Sequence, residues 1–182
     1  MCFEVVERAV ASCRRCSYVS KPYVEFGVYR MYMGRGIRVL VVSESPPPGN
    51  KSDFLYNLGH RDRLRATLAK FFGYSEEGLL EAMVDRGVFW DMAARCRPRS
   101  KRGVSSMARN CDSVAKLVLE TLRPRRIVAL GAVAREQVRR VLRSASLGSV
   151  EVFEDYHPLY VVRFKRSEAK QYFERLRELL EL

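Results

Sequence analysis

The spacing of apolar positions changes repeatedly along the chain, and each change marks a predicted element. Residues 3–11 carry Phe3, Val6, Ala9 and Val10 at helical spacing, which turns one face inward. Residues 23–33 are rich in aromatic and β-branched types and partly alternate. That predicts an extended segment before the Gly34-Arg35-Gly36 turn. Arg38 leads into the unbroken apolar run Val39-Leu40-Val41-Val42, the pattern of a strand buried on both faces of a parallel sheet. Three prolines after Ser45 must end that strand, because proline cannot donate to a ladder. Residues 61–72 return to helical spacing through Leu64, Leu68 and Phe71 and stop at Gly73. Ser75 is the predicted N-cap of a second helix reaching about residue 86, closed by Gly87. Residues 88–93 read as a strand and 105–122 as one helix. Residues 126–131 read as a strand opening into a helix over 132–142, 150–153 as a further strand, and 167–180 as an amphipathic helix. This alternation predicts an α/β fold with a mostly parallel central sheet, in a single domain over residues 1–182.

In open α/β sheets, ligands bind beyond the carboxyl ends of the strands. Glu44 stands immediately past the apolar run, on a loop stiffened by Pro46, Pro47 and Pro48. A loop carrying Tyr156-His157-Pro158 is expected after the strand at 150–153. If the predicted strands share one parallel sheet, Glu44 and His157 emerge at the same edge.

Charge adds a class of partner. The 182-residue chain has a formal net charge of +12, a field that attracts polyanions. Between Arg95 and Arg109 there are six basic residues and no acid. No apolar run approaches the ~18 residues a membrane span requires, and the first residues lack a signal-peptide pattern. An intracellular, cytoplasmic protein is expected. Only five Asn and Gln residues occur in total, which points to a thermophilic prokaryote as source. Five cysteines in an intracellular chain argue for metal or redox chemistry before disulfides. Cys13 and Cys16 form a C-x2-C pair, Cys96 and Cys111 have fourteen residues between them, and Cys2 is left over. Four such thiols suit a [4Fe–4S] cluster or a tetrahedral zinc ion, and the wide second pair favours iron–sulfur.

In this order, a C-x2-C pair, a strand ending in acid and proline, Cys96-Arg97-Pro98, a distant Cys111, the Leu130-Gly131-Ala132-Val133-Ala134 turn and His157-Pro158 resemble a known family. It is the iron–sulfur (family 4) branch of the uracil-DNA glycosylase superfamily. The resemblance implies a three-layer α/β/α sandwich and a monofunctional DNA glycosylase of base-excision repair, cutting the bond between deoxyribose and uracil or another deaminated base. It implies that Cys13, Cys16, Cys96 and Cys111 hold a [4Fe–4S] cluster. Glu44 then positions water and stabilises the sugar cation, and His157 stabilises the leaving base. Phe54, with Tyr56, supplies the stacking floor for the flipped base. Met92 stands where the family places the asparagine that reads the base edge, with Asp91 beside it. Arg97, Arg99, Lys101 and Arg102 in the basic loop, and Arg163, Lys165 and Arg166 after the histidine, are expected on DNA phosphates. Leu159 or one of the two residues after it is expected as a wedge in the emptied stack. The expected partner is DNA, with the protein acting as a monomer away from membranes. The alternative is a damaged-DNA or single-strand binding module of the same fold that has lost efficient catalysis.

Overall fold

In the computed structural model, residues 2–16, 20–49 and 52–182 are described, Cys2 by its backbone alone. Helix α1 (Cys2–Ser12) is followed by two single-turn helices, α2 (Pro22–Glu25) and α3 (Val28–Met31). The chain then enters strand β1 (Val39–Ser43), helices α4 (Arg63–Phe72) and α5 (Glu76–Asp85), and strand β2 (Val88–Met92). Helices α6 (Val104–Asn110) and α7 (Asp112–Leu122) lead to strand β3 (Arg126–Leu130), helix α8 (Ala132–Leu142) and strand β4 (Glu151–Asp155). Helix α9 (Pro158–Phe164), a 3-10 turn at Arg166–Glu168 and helix α10 (Ala169–Leu180) complete the described chain.

The four strands form one all-parallel sheet in the order β2-β1-β3-β4. Every residue of β1 is buried, as its unbroken apolar run requires of a central strand. The chain moves one way along the sheet from β1 to β2 and the opposite way from β2 to β3 and on to β4. Right-handed crossovers therefore place α4 and α5 on one face and α6, α7 and α8 on the other. The helix contacts agree: α10 and α9 pack on α4, while α1 packs on α7. The result is the expected sheet between two helical layers.

Local signals behave as read at several ends. The Ser75 side chain accepts from the Gly78 N–H at 2.9 Å and caps α5. Gly73 closes α4 in the left-handed region, and Asp62, not anticipated, caps its start. Three expectations need correction. Residues 23–33 are helical rather than extended, because Pro22 starts one turn and Gly27, at φ 62°, separates it from the next. The residues 105–122 form two helices, interrupted at Cys111. His157-Pro158 is the start of α9 rather than a loop, with His157 as N-cap and Pro158 in the first turn.

The helical turns at 22–31 have a purpose that alternation hides. Strand β2 is an edge strand, and its outward backbone groups are met by tyrosine hydroxyls instead of by a fifth strand. Tyr32 donates to the Val88 carbonyl and Tyr23 to the Trp90 carbonyl, both at 2.8 Å. Tyr56 joins them: its hydroxyl accepts from the Trp90 N–H at 2.8 Å and donates to the Trp90 carbonyl at 3.1 Å. An open edge invites pairing with another chain, and here it is covered.

Candidate active site

Parallel pairing sets the levels of the strand ends. Ser43 is level with Met92, and Val42 with Ala129, which is itself level with Glu154. Glu44 and His157 therefore leave the same edge of the sheet, one residue past β1 and two past β4. One strand lies between theirs, so their strand axes are roughly 10 Å apart. That is room for a nucleoside.

Glu44 is half-buried, and its carboxylate makes no hydrogen bond or ion pair among the described residues. Its backbone is fixed, with the Ala94 N–H donating to the Glu44 carbonyl at 3.0 Å and the Ala93 N–H to Ser43 at 2.7 Å. The proline loop is pinned further along, where the Gly49 N–H donates to the Pro98 carbonyl at 2.9 Å. An unpaired carboxylate on so stiff a support can meet positive charge at low reorganisation cost.

His157 is half-buried, and its Nδ1 accepts from the Leu159 N–H at 3.2 Å. With Nδ1 an acceptor, the proton of the neutral ring is on Nε2, which is left as a donor. Burial lowers its pKa to about 4, and the positive charge of Lys101 pushes in the same direction. The imidazole is thus neutral at pH 7. Gly131 lies against it: a Cβ built there would sit 3.6 Å from the His157 Cβ, and the φ of 94° is one that side chains disfavour. The effect of Lys101 also shows that the basic loop after Cys96 reaches this edge.

Other expected site residues lie elsewhere. Phe54 has no exposed surface; its ring packs against Tyr23 at 5.0 Å and Phe26 at 5.8 Å. Tyr56 is buried with its hydroxyl on β2. Neither offers a face to a base, so the expected stacking floor is part of the core here. The cause is the uncovered β2 edge, which draws this aromatic group inward. Asp91 is fully buried, pairs with Arg95, and accepts from the Met92 N–H at 2.8 Å. It is committed to the interior and cannot read a base edge. Met92 is buried at the end of β2.

Among the expected DNA contacts, Arg97 is also corrected. It is buried, and its guanidinium donates to the carbonyls of Pro47 at 2.8 Å and Asp53 at 3.1 Å, bracing both arms of the proline loop. Arg99, Lys101 and Arg102 are exposed, as are Arg163 and Arg166. Lys165 is half-buried and paired with Glu168 at 2.9 Å. Leu159 is half-buried against the core.

The four cysteines come from the end of α1, the segment after β2 and the α6–α7 junction. Burial pushes the Cys96 thiol up to about 12, and the neighbouring Cys111, Cys16 and Cys13 add to the rise. Burial likewise raises the Cys111 thiol. The segments are tied: Asn110 Nδ2 donates to the Arg15 carbonyl at 3.3 Å and lies 3.6 Å from Cys16 Sγ, and Arg15 donates to Ser113 at 2.7 Å. Among the described residues, no three Cys, His, Asp or Glu side chains stand at the spacing that holds a metal ion. The surroundings nevertheless suit a negatively charged thiolate group. Arg95 is fully buried beside Cys111, and its Nε and Nη1 N–H groups have no acceptor among the described residues. Buried donors of that kind are costly unless something accepts from them.

Two buried struts escaped the sequence reading. Arg65 donates from Nη1 to the carbonyls of Leu55 at 3.0 Å and Asn57 at 2.9 Å, from Nη2 to His60 at 2.6 Å, and from Nε to Glu76 at 2.6 Å. Gln137 Nε2 donates to Ala93 at 2.9 Å and Ala108 at 2.7 Å, joining the segments before Cys96 and Cys111. A signal existed. Arg65 shares a buried stripe with Leu68, Ala69 and Phe72, and Gln137 one with Ala134, Val138 and Val141. A polar residue inside a helical apolar stripe marks a strut.

A sequence model described as the Uracil DNA glycosylase superfamily matches residues 31–181. A curated relative from Pyrobaculum aerophilum, a Type-5 uracil-DNA glycosylase, is 28% identical over 188 aligned positions, covering 85% of this chain and 81% of the relative. Its name carries type 5, whereas the motif order pointed to the family 4 branch. No helix among the described residues is long and apolar enough to cross a membrane.

Proposed function

The chain belongs to the uracil-DNA glycosylase superfamily, and from that premise we propose that it hydrolyses the N-glycosidic bond of uracil or another deaminated base in DNA. One observation carries this reading: an unpaired carboxylate, Glu44, and a neutral imidazole donor, His157, leave the same sheet edge about one nucleoside apart. Breaking the bond leaves positive charge on the sugar and negative charge on the base. Glu44 faces the first and orients the attacking water; the Nε2–H of His157 donates to the second. The base must leave the duplex stack to reach them. Lys101 and Arg102, and Arg163 and Arg166 on the other side of His157, are the cations available to phosphate.

Cys13, Cys16, Cys96 and Cys111 are proposed to hold a [4Fe–4S] cluster, with zinc the lesser candidate. When bound, the cluster supplies thiolate–iron bonds that tie α1 to the start of the basic loop. Purified anaerobically, the protein is expected to carry about four irons per chain with a visible absorption band, and the Cys111→Ser variant to lose both. Stoichiometric zinc without iron sinks the cluster assignment.

The functional test is base release from end-labelled oligonucleotides, each with one uracil, hypoxanthine, xanthine or thymine opposite guanine. Abasic product is expected from at least one substrate. Glu44→Gln should slow it roughly tenfold to a hundredfold, the Coulomb scale for one carboxylate near a cation in a partly buried site. A second reading, a damaged-base binder without efficient catalysis, is favoured by Met92, which cannot read a base edge as asparagine does. Tight lesion binding without product, unaffected by Glu44→Gln, selects that reading.

A further inference from the structure

Immediately beside His157, the protein exposes three large rings in a row. Tyr156, Tyr160 and Phe164 are 44%, 43% and 61% exposed. Tyr160 and Phe164 are four residues apart on α9, which brings them to one side, and Tyr156, just before the helix, stacks on Tyr160. The Tyr156 and Tyr160 rings stack at 5.2 Å and 19°, and Tyr160 meets Phe164 at 5.0 Å. The core does not need these rings; Pro158 and Val161 are the buried residues of this helix. The row is held in place from below, where the buried Tyr172 hydroxyl donates to the Tyr156 carbonyl at 2.6 Å.

Charge selects the occupant. The Arg163 guanidinium lies 4.9 Å from the Phe164 ring centre, and the Lys165 ammonium 5.1 Å from that of Tyr156. Nearby acids are already matched: Glu168 by Lys165, Asp155 by Arg175 and Glu154 by Arg139. Arg163 and Arg166 have no acidic partner among the described residues. Rings for bases beside cations for phosphates are the chemistry of single-strand binding. Three rings at these separations span roughly 10 Å, the length of two or three stacked nucleotides.

We infer that Tyr156, Tyr160 and Phe164 form a stacking column for unpaired nucleotides flanking the base held at His157, so that this face takes single-stranded DNA. The inference rests on the glycosylase reading only for what is done to the held base. Base pairs in an intact duplex keep their faces on one another and cannot add to the column. A strand opened on one side of the site can.

The test is equilibrium binding of undamaged, fluorophore-labelled oligonucleotides, a 12-nucleotide single strand and a blunt 12-base-pair duplex. The double variant Tyr160→Ala, Phe164→Ala should lose about tenfold or more in single-strand affinity and stay within about twofold for duplex. Tyr160→Trp should keep single-strand binding and show indole quenching on titration. If the double variant is poorly folded by circular dichroism, Phe164→Ala alone, at the most exposed ring, takes its place. Unchanged single-strand affinity overturns the inference, and so does an equal loss for both ligands. Unchanged affinity together with reduced self-association in sedimentation would assign the face to a contact between copies, which also overturns it. Failure of base release with the strand preference intact would remove the glycosylase reading and leave the column standing.

Discussion

His157→Ala is expected to lower single-turnover base release by about 10²–10³-fold, the usual cost of removing one pre-aimed donor from developing negative charge. The donor is pre-aimed because the Leu159 N–H occupies Nδ1 and leaves the proton on Nε2. Glutamine at 157 keeps an N–H donor and should recover part of the loss. The pH profile separates this role from that of an ordinary surface histidine. Burial, seconded by Lys101, holds the pKa at about 4 instead of 6.5. The rate limb assigned to His157 should therefore stay flat through pH 6.5 and fall only as pH 4 is approached. A limb near 6.5 that disappears in the variant would show that burial does not depress the pKa of this imidazole. Stability should move in the same window. Between pH 6.5 and about 4 the unfolded chain binds a proton at this histidine that the folded chain refuses, so stability falls as pH falls through that range. Below it the contribution stops changing. His157→Ala should flatten this part of the curve.

Arg65→Met should produce the largest loss of stability, about 3–5 kcal/mol, because it leaves the buried Phe54 and Leu55 carbonyls without a donor and parts the half-buried Glu76 from its guanidinium. Four carbonyls, those of Phe54, Leu55, Asn57 and His60, and the Glu76 carboxylate accept from one buried guanidinium. For a chain of this length the fall in melting temperature is about 6–20 °C. Lysine should not restore it, since an ammonium cannot span a planar fork of acceptors. A melting temperature within 2 °C of wild type would mean that the segment from Phe54 to His60 holds its shape unaided.

The sheet and its functional edge were legible because their signals are local. The run at 39–42 has no solvated alternative, and three prolines end it at one place. Once the strands are parallel, Glu44 and His157 must share an edge. What was not legible depends on partners distant in sequence. Phe54 and Tyr56 sit where a resemblance places a stacking floor, yet the open side of β2 claims the Tyr56 hydroxyl and the Phe54 ring packs inward on Tyr23 and Phe26. Arg97 looks like any member of a basic loop until the carbonyls of Pro47 and Asp53 are brought beside it. The segment 105–122 has unbroken helical character in sequence, yet the chain turns at Cys111 and forms two helices. Residues 23–33 mimic alternation, but Tyr29 and Tyr32 are one helical turn apart and face the same aromatic cluster.

The tyrosine cover of β2 also constrains how the chain is made. Tyr32 meets its carbonyl 56 residues later, and Tyr23 meets its own 67 residues later. At ~5–20 residues per second the ribosome releases these aromatic turns several seconds before the strand they close. The turns at 22–32 must wait, their tyrosine hydroxyls without their lasting partners, until residue 92 has emerged. Sheet nucleation around β1 and β2 therefore precedes docking of the segment synthesised first, and any pause in translation between residues 33 and 88 prolongs the interval in which that segment is open to other partners.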